Sequence, residues 1–125
     1  EGETAPYLQY THARCASLVE KNGKPEDIDA APDYSSLTGE AANDLVKLIN
    51  DYGRILIDAG DKYEPSILSN YLIDLAKAFN RFYLENRISG EAPEIKKARL
   101  IAVSVVKNVL SSGLKTLGIT PVEKM

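Results

Sequence analysis

Residue types that build metal, redox and disulfide sites are scarce in this chain. Its 125 residues include one cysteine, one histidine and no tryptophan. A single cysteine excludes an internal disulfide framework and is typical of a reducing compartment, so we expect a cytoplasmic location. One cysteine and one histidine are too few ligands for a structural zinc site, and we predict no metal site.

Catalytic and membrane signatures are also missing. Cys15 follows His12 by three residues, but the thiol falls on the predicted buried face of its helix, where cysteines are usually inert. The stretch "SSGLKTLG" does not match the phosphate-binding loop pattern. No apolar run approaches the ~20 residues that span a bilayer. The first residues, "EGETAPYLQY", are too acidic and polar for a signal peptide. We therefore predict no catalytic residue, no cofactor and no membrane partner.

Length and composition fit one globular domain. A chain of 125 residues with 44% hydrophobic and 26% charged residues is able to bury a core of its own. The sequence begins with a glutamate instead of a methionine. We therefore expect residues 1–125 to be a single domain that forms part of a longer chain.

Charge is distributed unevenly along the chain. The net charge of −3 divides into −8 for residues 1–76 and +5 for residues 77–125. Such an asymmetry is typical of a protein that binds a polyanion selectively, although solvated helix faces have the same appearance. The cations of the second part include Lys77, Arg81, Arg87, Lys96, Lys97, Arg99, Lys107 and Lys115.

Apolar residues recur at helical spacing through most of the sequence. We predict one helix from Ala5 or Pro6 to the "KNGKPED" stretch, then a loop of about fourteen residues that is either packed or mobile. Residues 38–63 read as two shorter helices with a kink at Gly53, and two long helices follow, separated by Gly90 and Pro93. The fold class is therefore all-α, a bundle of about five helices.

Aromatic, cationic and amide side chains share faces of two of these helices. Tyr7, Tyr10 and Arg14 fall within an arc of about 60° beside the buried stripe of the first helix. Asn80, Tyr83 and Arg87 share one side of a later helix. Such side chains hold unpaired RNA bases, but they also pack half-buried in ordinary cores. For four other tyrosines we favour half-buried structural roles: Tyr34, Tyr52, Tyr63 and Tyr71.

Four segments in order resemble one protein family. They are "PYLQYTHARCASL", "YLIDLAKAFNRFY", "ARLIAVSVVKNVLSSGLKTLGI" and "TPVEKM". Together they resemble the C-terminal anticodon-binding domain, of the DALR type, of arginyl-tRNA synthetases. This family belongs to the helical type shared among several class I synthetases.

The resemblance implies a role in holding the anticodon stem and loop of arginine tRNA. A separate Rossmann-type domain of the parent ligase would bind ATP, magnesium and arginine. The resemblance places Tyr7, Tyr10, Tyr83 and Met125 next to the anticodon. Some relatives have an aromatic residue where this chain has Arg87.

Roles for the remaining candidates follow from the same resemblance. We expect Arg14 to contact a phosphate or a base edge, and His12 to fix the helix to its neighbours. Weaker candidates for the RNA backbone are Lys96, Lys107 and Asn108. We expect a monomer that binds no DNA. Two alternatives stay open: a helical protein–protein interaction module, and the same domain type from another class I synthetase, such as the cysteine enzyme.

Overall fold

Four α-helices and two short 3₁₀ turns make up the described chain. The computed structural model describes residues 4–125, so the expectations about the chain start lie partly outside the described residues. The helices are α1 (Thr4–Asn22), α2 (Glu40–Lys62), α3 (Pro65–Glu85) and α4 (Pro93–Thr116), and the 3₁₀ turns are Pro25–Asp27 and Tyr34–Ser36. Residues 4–125 contain no strand, which confirms the all-α class, but the predicted count of about five helices is wrong. None of these helices is long and apolar enough to cross a membrane.

The helix count differs because α2 continues through Gly53. A glycine inside a helix costs only about 0.5–1 kcal/mol relative to alanine. Tyr52 lies at the predicted break, and its ring packs against the core. This ring continues the apolar stripe that links Leu48 to Leu56, and burial of the stripe outweighs the cost of the glycine.

Helices α3 and α4 each contact all three of the other helices. Helix α2 packs chiefly on α3, and α1 packs chiefly on α4. The side of α3 that faces these neighbours is buried throughout its length, as the helical spacing predicts. Its buried residues are Leu68, Tyr71, Leu72, Leu75, Ala76, Phe79 and Phe82.

Of the four tyrosines predicted to be half-buried and structural, Tyr52 is half-buried, Tyr71 is buried, and the other two are exposed. The rings of Tyr52 and Tyr71 stack with centroids 5.8 Å apart, and the Tyr71 hydroxyl donates to the carbonyl of Leu48 at 2.5 Å. Tyr34 and Tyr63 are 56% and 91% exposed. Tyr63 ends α2 in the left-handed conformation, with φ of 54°, and Tyr34 lies in a surface 3₁₀ turn.

The long loop between α1 and α2 packs on α4. Ile28 and Leu37 contact the core, and Pro25 is buried. The Lys97 ammonium donates to the carbonyl of Ile28 at 3.1 Å. The amide of Asp33 donates to a carbonyl of α4 at 3.0 Å. Of the two states predicted for this loop, the structure therefore has the packed one.

We expect Gly113→Ala to destabilise the fold. A Cβ at position 113 would lie 2.7 Å from both terminal methyl carbons of Leu72, which is fully buried. Overpacking of this kind costs about 1–3 kcal/mol, against a gain of roughly 0.8–1 kcal/mol for alanine over glycine in a helix. Denaturant unfolding followed by circular dichroism measures the difference.

Gly53→Ala is the matched control for this substitution. Gly53 also lies inside a helix, and a Cβ at position 53 would point into open space, with no tertiary contact within 4 Å. We expect this variant to keep or increase the free energy of unfolding. Equal changes in the two variants would contradict close packing at Gly113.

Candidate nucleic-acid interface

Residues of α1 and α3 meet in one connected group. The Arg14 guanidinium donates from Nη1 to Oδ1 of Asn80 at 2.9 Å, and its central carbon lies 5.0 Å from the centroid of the Tyr83 ring. The Asn80 amide donates to the hydroxyl of Tyr7 at 3.2 Å. We call Tyr7, Arg14, Asn80 and Tyr83 the arginine–tyrosine cluster.

The cluster forms because each helix presents its polar residues on one face. Asn80 and Tyr83 are three residues apart on α3, and Arg14 lies two turns after Tyr7 on α1. Thr11 lies between Tyr7 and Arg14 on α1. Its buried hydroxyl donates to the carbonyl of Tyr7 at 3.1 Å and accepts from the Asn80 amide at 3.5 Å. Thr11 is absent from the predicted site, because a threonine at a helix face carries no distinctive signal.

The Tyr83 ring is supported from within the bundle. It stacks on the ring of Phe79 with centroids 6.4 Å apart and an angle of 16° between the planes. Phe79 is fully buried. The aromatic face that Tyr83 offers to Arg14 is therefore fixed by the core of α3.

The chain end lies along α1 and reaches the same region. The Gln9 side chain donates to the carbonyl of Thr120 at 2.8 Å, and Nδ1 of His12 lies 2.6 Å from the carbonyl of Val122. Since a carbonyl only accepts, Nδ1 carries the proton, and the buried His12 fixes the tail instead of facing solvent. Met125 then lines a cavity of about 210 Å³ together with Tyr10, Ala13, Arg14 and Ser17.

Arg14 therefore belongs both to the cluster and to the lining of this terminal cavity. Tyr10 and Met125, at the cavity, are 50% and 70% exposed. Tyr7 is half-buried and packs against the core. Tyr83 also lines a second cavity, of about 490 Å³, with the exposed residue Arg87.

Three of the predicted site residues lie outside both the arginine–tyrosine cluster and the two cavities beside it. Lys107 lines a different cavity, on the side of α1 that carries Ala16 and Glu20. Among the hydrogen bonds and ion pairs of residues 4–125, none joins Lys96 or Asn108 to the arginine–tyrosine cluster.

The basic surface is smaller than the charge distribution predicts. Arg81 lies within 4 Å of three carboxylates, at 3.0 Å from Glu40, 3.2 Å from Asp44 and 3.7 Å from Glu85. Lys97 and Arg99 donate to backbone carbonyls. These three cations are used inside the domain, because acids of α2 and carbonyls of loops that are distant in sequence come close to them in the fold.

We expect Cys15 to resist thiol reagents while the protein is folded. Burial raises the pKa of this thiol to about 12, despite the opposing positive charges of Arg14 and Lys107. The reactive thiolate is therefore absent from the folded state at mildly alkaline pH. Labelling by a chromogenic disulfide reagent should be slow in buffer and fast in concentrated guanidinium, and fast labelling in both would contradict a buried thiol.

The same pKa shift makes stability depend on alkaline pH. The thiol ionises near its ordinary pKa of 9.0 in the unfolded chain and near 12 in the fold. Its contribution is thus complete below the lower value and is lost as the pH rises toward the upper one, by about 1.4 kcal/mol per pH unit. Cys15→Ala should remove this part of the alkaline decline measured by denaturant unfolding.

Known proteins share the sequence and the fold. The family model of the DALR anticodon binding domain matches residues 8–125. The arginine–tRNA ligase of Halothermothrix orenii is 44% identical over 126 residues, which cover all of this chain and 22% of that protein. The enzyme of Thermococcus kodakarensis is 40% identical over 131 residues, covering all of this chain and 20% of that protein.

A solved structure agrees with these relatives. The arginyl-tRNA synthetase of Thermus thermophilus aligns with a TM-score of 0.86 and 30% identity, over 96% of this chain and 21% of that one. The chain thus spans about a fifth of the length of the proteins that it matches. The family model, the full-length matches to this chain and the shared helical architecture agree, and the chain belongs to the DALR anticodon-binding domain family.

Proposed function

We propose that this chain is the anticodon-binding domain of an arginine–tRNA ligase and holds the anticodon stem and loop of arginine tRNA. The observation that carries the proposal is Arg14, which joins the arginine–tyrosine cluster to the exposed residues Tyr10 and Met125. Family membership supports the same function.

Arg14 is suited to contact a splayed base or a phosphate. A guanidinium has five N–H donors in a fixed plane, and the hydrogen bond to Asn80 at 2.9 Å uses only one nitrogen. Asn80 and Tyr83 fix the position of this plane, so little side-chain freedom is lost when RNA binds. In this proposal Asn80 positions Arg14, since both ends of its amide are already used inside the protein.

Aromatic and thioether groups complete the binding surface. Tyr10 offers an exposed ring on which an unpaired base stacks, a contact worth about 1–3 kcal/mol. Met125, held by the tail contacts of Gln9 and His12, closes the same cavity with an adaptable apolar side chain. A base that enters the cavity would meet both groups and the edge of Arg14.

The rest of the ligase would supply the chemistry. We propose that residues 1–125 are a single domain of a longer enzyme, whose catalytic part binds ATP, magnesium and arginine. In this proposal the domain itself carries no catalytic residue, binds neither DNA nor membranes, and acts in the cytoplasm as part of a monomer. Its contribution to aminoacylation is to position the tRNA.

A salt titration tests RNA binding. Fluorescence anisotropy of labelled arginine tRNA should show an affinity that falls steeply with salt concentration, with a slope of about −0.7 for each phosphate neutralised in a single-stranded loop. Binding that is independent of salt would contradict the proposal, because an apolar partner interface releases few counterions.

A further inference from the structure

A second basic cavity adjoins the arginine–tyrosine cluster. It has a volume of about 490 Å³ and lies between the last turn of α1 and the segment that follows α3. Two cations, a tyrosine ring, three aliphatic side chains and a serine line it, and no acid is among them. These residues are Lys21, Arg87, Tyr83, Leu18, Leu84, Ile88 and Ser89.

We infer that this cavity binds the loop nucleotide next to the one held at Arg14. Lys21 and Arg87 contact the phosphate, and the base covers Leu84. The inference rests on the proposed function and adds Lys21 and Leu84 to the residues that contact tRNA. Tyr83 is common to the two positions, since its ring faces Arg14 and the residue also lines this cavity.

The charged residues that line this cavity attract an anion more strongly than those of another cavity on α1. That other cavity, of about 370 Å³, carries Lys24, Lys107 and Lys124 together with Glu20, Asp27 and Glu123. Its charges compensate one another, so a phosphate gains little there. In the cavity of Lys21 and Arg87 both charged groups are cations, and a phosphate is attracted by both.

An exposed apolar side chain lies beside the two cations. Leu84 follows Tyr83 on α3 and is 81% exposed. A single exposed leucine is ordinary on a protein surface. At the mouth of a basic cavity, however, it provides the apolar contact that the face of a base prefers, while the phosphate reaches Lys21 and Arg87.

The wall that carries Arg87 is fixed before any ligand binds. The carbonyl of Arg87 accepts from Nη1 of Arg99 at 2.5 Å, and the buried amide of Asn86 donates to a carbonyl of α3 at 3.0 Å. Ser89 donates to Oδ1 of Asn22 at 3.0 Å and so joins the wall to the end of α1. Binding therefore orders only the side chains of the two cations.

Single methylphosphonate substitutions in the anticodon stem-loop of arginine tRNA test the inference. A methylphosphonate removes the charge of one phosphate and changes little else. We expect Lys21→Ala to weaken binding of the unmodified stem-loop by roughly three- to tenfold, as for a phosphate contact. One loop methylphosphonate should weaken wild-type binding and have almost no further effect on Lys21→Ala.

Lys24→Ala is the matched control. It removes the same charge at a position three residues after Lys21, where the side chain lines a different cavity. It should bind the stem-loop nearly as well as the wild type. Equal affinities of Lys21→Ala, Lys24→Ala and the wild type would overturn the subsite and leave the proposed function intact. Failure of the wild type to bind the stem-loop would overturn the proposed function and the subsite together.

Discussion

Arg14→Ala is expected to weaken binding of arginine tRNA roughly 10- to 100-fold, which equals about 1.4–2.7 kcal/mol. The substitution removes a planar cation that is held 5.0 Å from the Tyr83 ring and hydrogen-bonded to Asn80 at 2.9 Å. It also removes the polar edge of the terminal cavity that contains Met125. Anisotropy titrations at one salt concentration measure the change.

Two further variants separate the role of Arg14 from general charge. Arg54→Ala removes the same charge from α2, where Arg54 is 63% exposed and, among residues 4–125, pairs with Asp51 and Asp58 of its own helix. It should leave affinity almost unchanged. Arg14→Lys keeps the charge but loses the planar group, so we expect only partial recovery. Equal affinity losses in Arg14→Ala and Arg54→Ala would show that Arg14 acts through net charge alone.

Phe79→Ala is expected to have the largest effect on stability, about 3–5 kcal/mol, the range for loss of a buried aromatic ring. Phe79 is fully buried on α3, which contacts each of the other three helices. A loss of this size approaches the total stability of many domains, about 5–15 kcal/mol. Denaturant unfolding should show a much lower midpoint than the wild type.

Milder variants connect this core position to the binding surface. Phe79→Leu and Phe82→Leu alter two fully buried rings of the same helix, but the contact with Tyr83, at 6.4 Å between centroids, belongs to Phe79. We expect similar losses of stability and a larger loss of tRNA affinity for Phe79→Leu. Similar affinities of the two folded variants would show that Tyr83 does not need the support of Phe79.

The helices and the core were predictable, because their signals are local. Apolar residues at three- and four-residue spacing predict the buried face of α3, including Leu72 and Phe79. The predicted helix break at Gly53 was wrong. Glycine is a weak local signal for a helix end, and packing of Tyr52 on the core keeps α2 continuous. The exposure of Tyr63 depends on a left-handed backbone at the helix end, which a tyrosine rarely adopts.

The sequence predicts which candidate residues share a face of one helix, but not which helix faces come together in the fold. Spacing places Tyr7 with Arg14 on one helix and Asn80 with Tyr83 on another, whereas only the tertiary structure brings the two faces together. The hydrogen bond from Gln9 to the tail joins groups 111 residues apart in sequence, and no local pattern indicates it.

The distribution of charge along the sequence likewise does not predict where charge lies on the folded surface. The positive part of the sequence predicts a basic surface, but Arg81 is neutralised by Glu40 and Asp44, which lie about forty residues earlier in the chain. Lys21, in contrast, belongs to the acidic part of the sequence and lies beside Arg87 at the second cavity. Surface charge depends on which helices become neighbours.

The most direct test of the central claim is an anisotropy titration of this chain with arginine tRNA and with the same tRNA altered at the middle base of the anticodon. The account predicts tighter binding of the unaltered tRNA, with a difference that disappears in Arg14→Ala. Equal affinities of the wild-type chain for the two tRNAs would contradict the claim that the surface around Arg14 holds the anticodon.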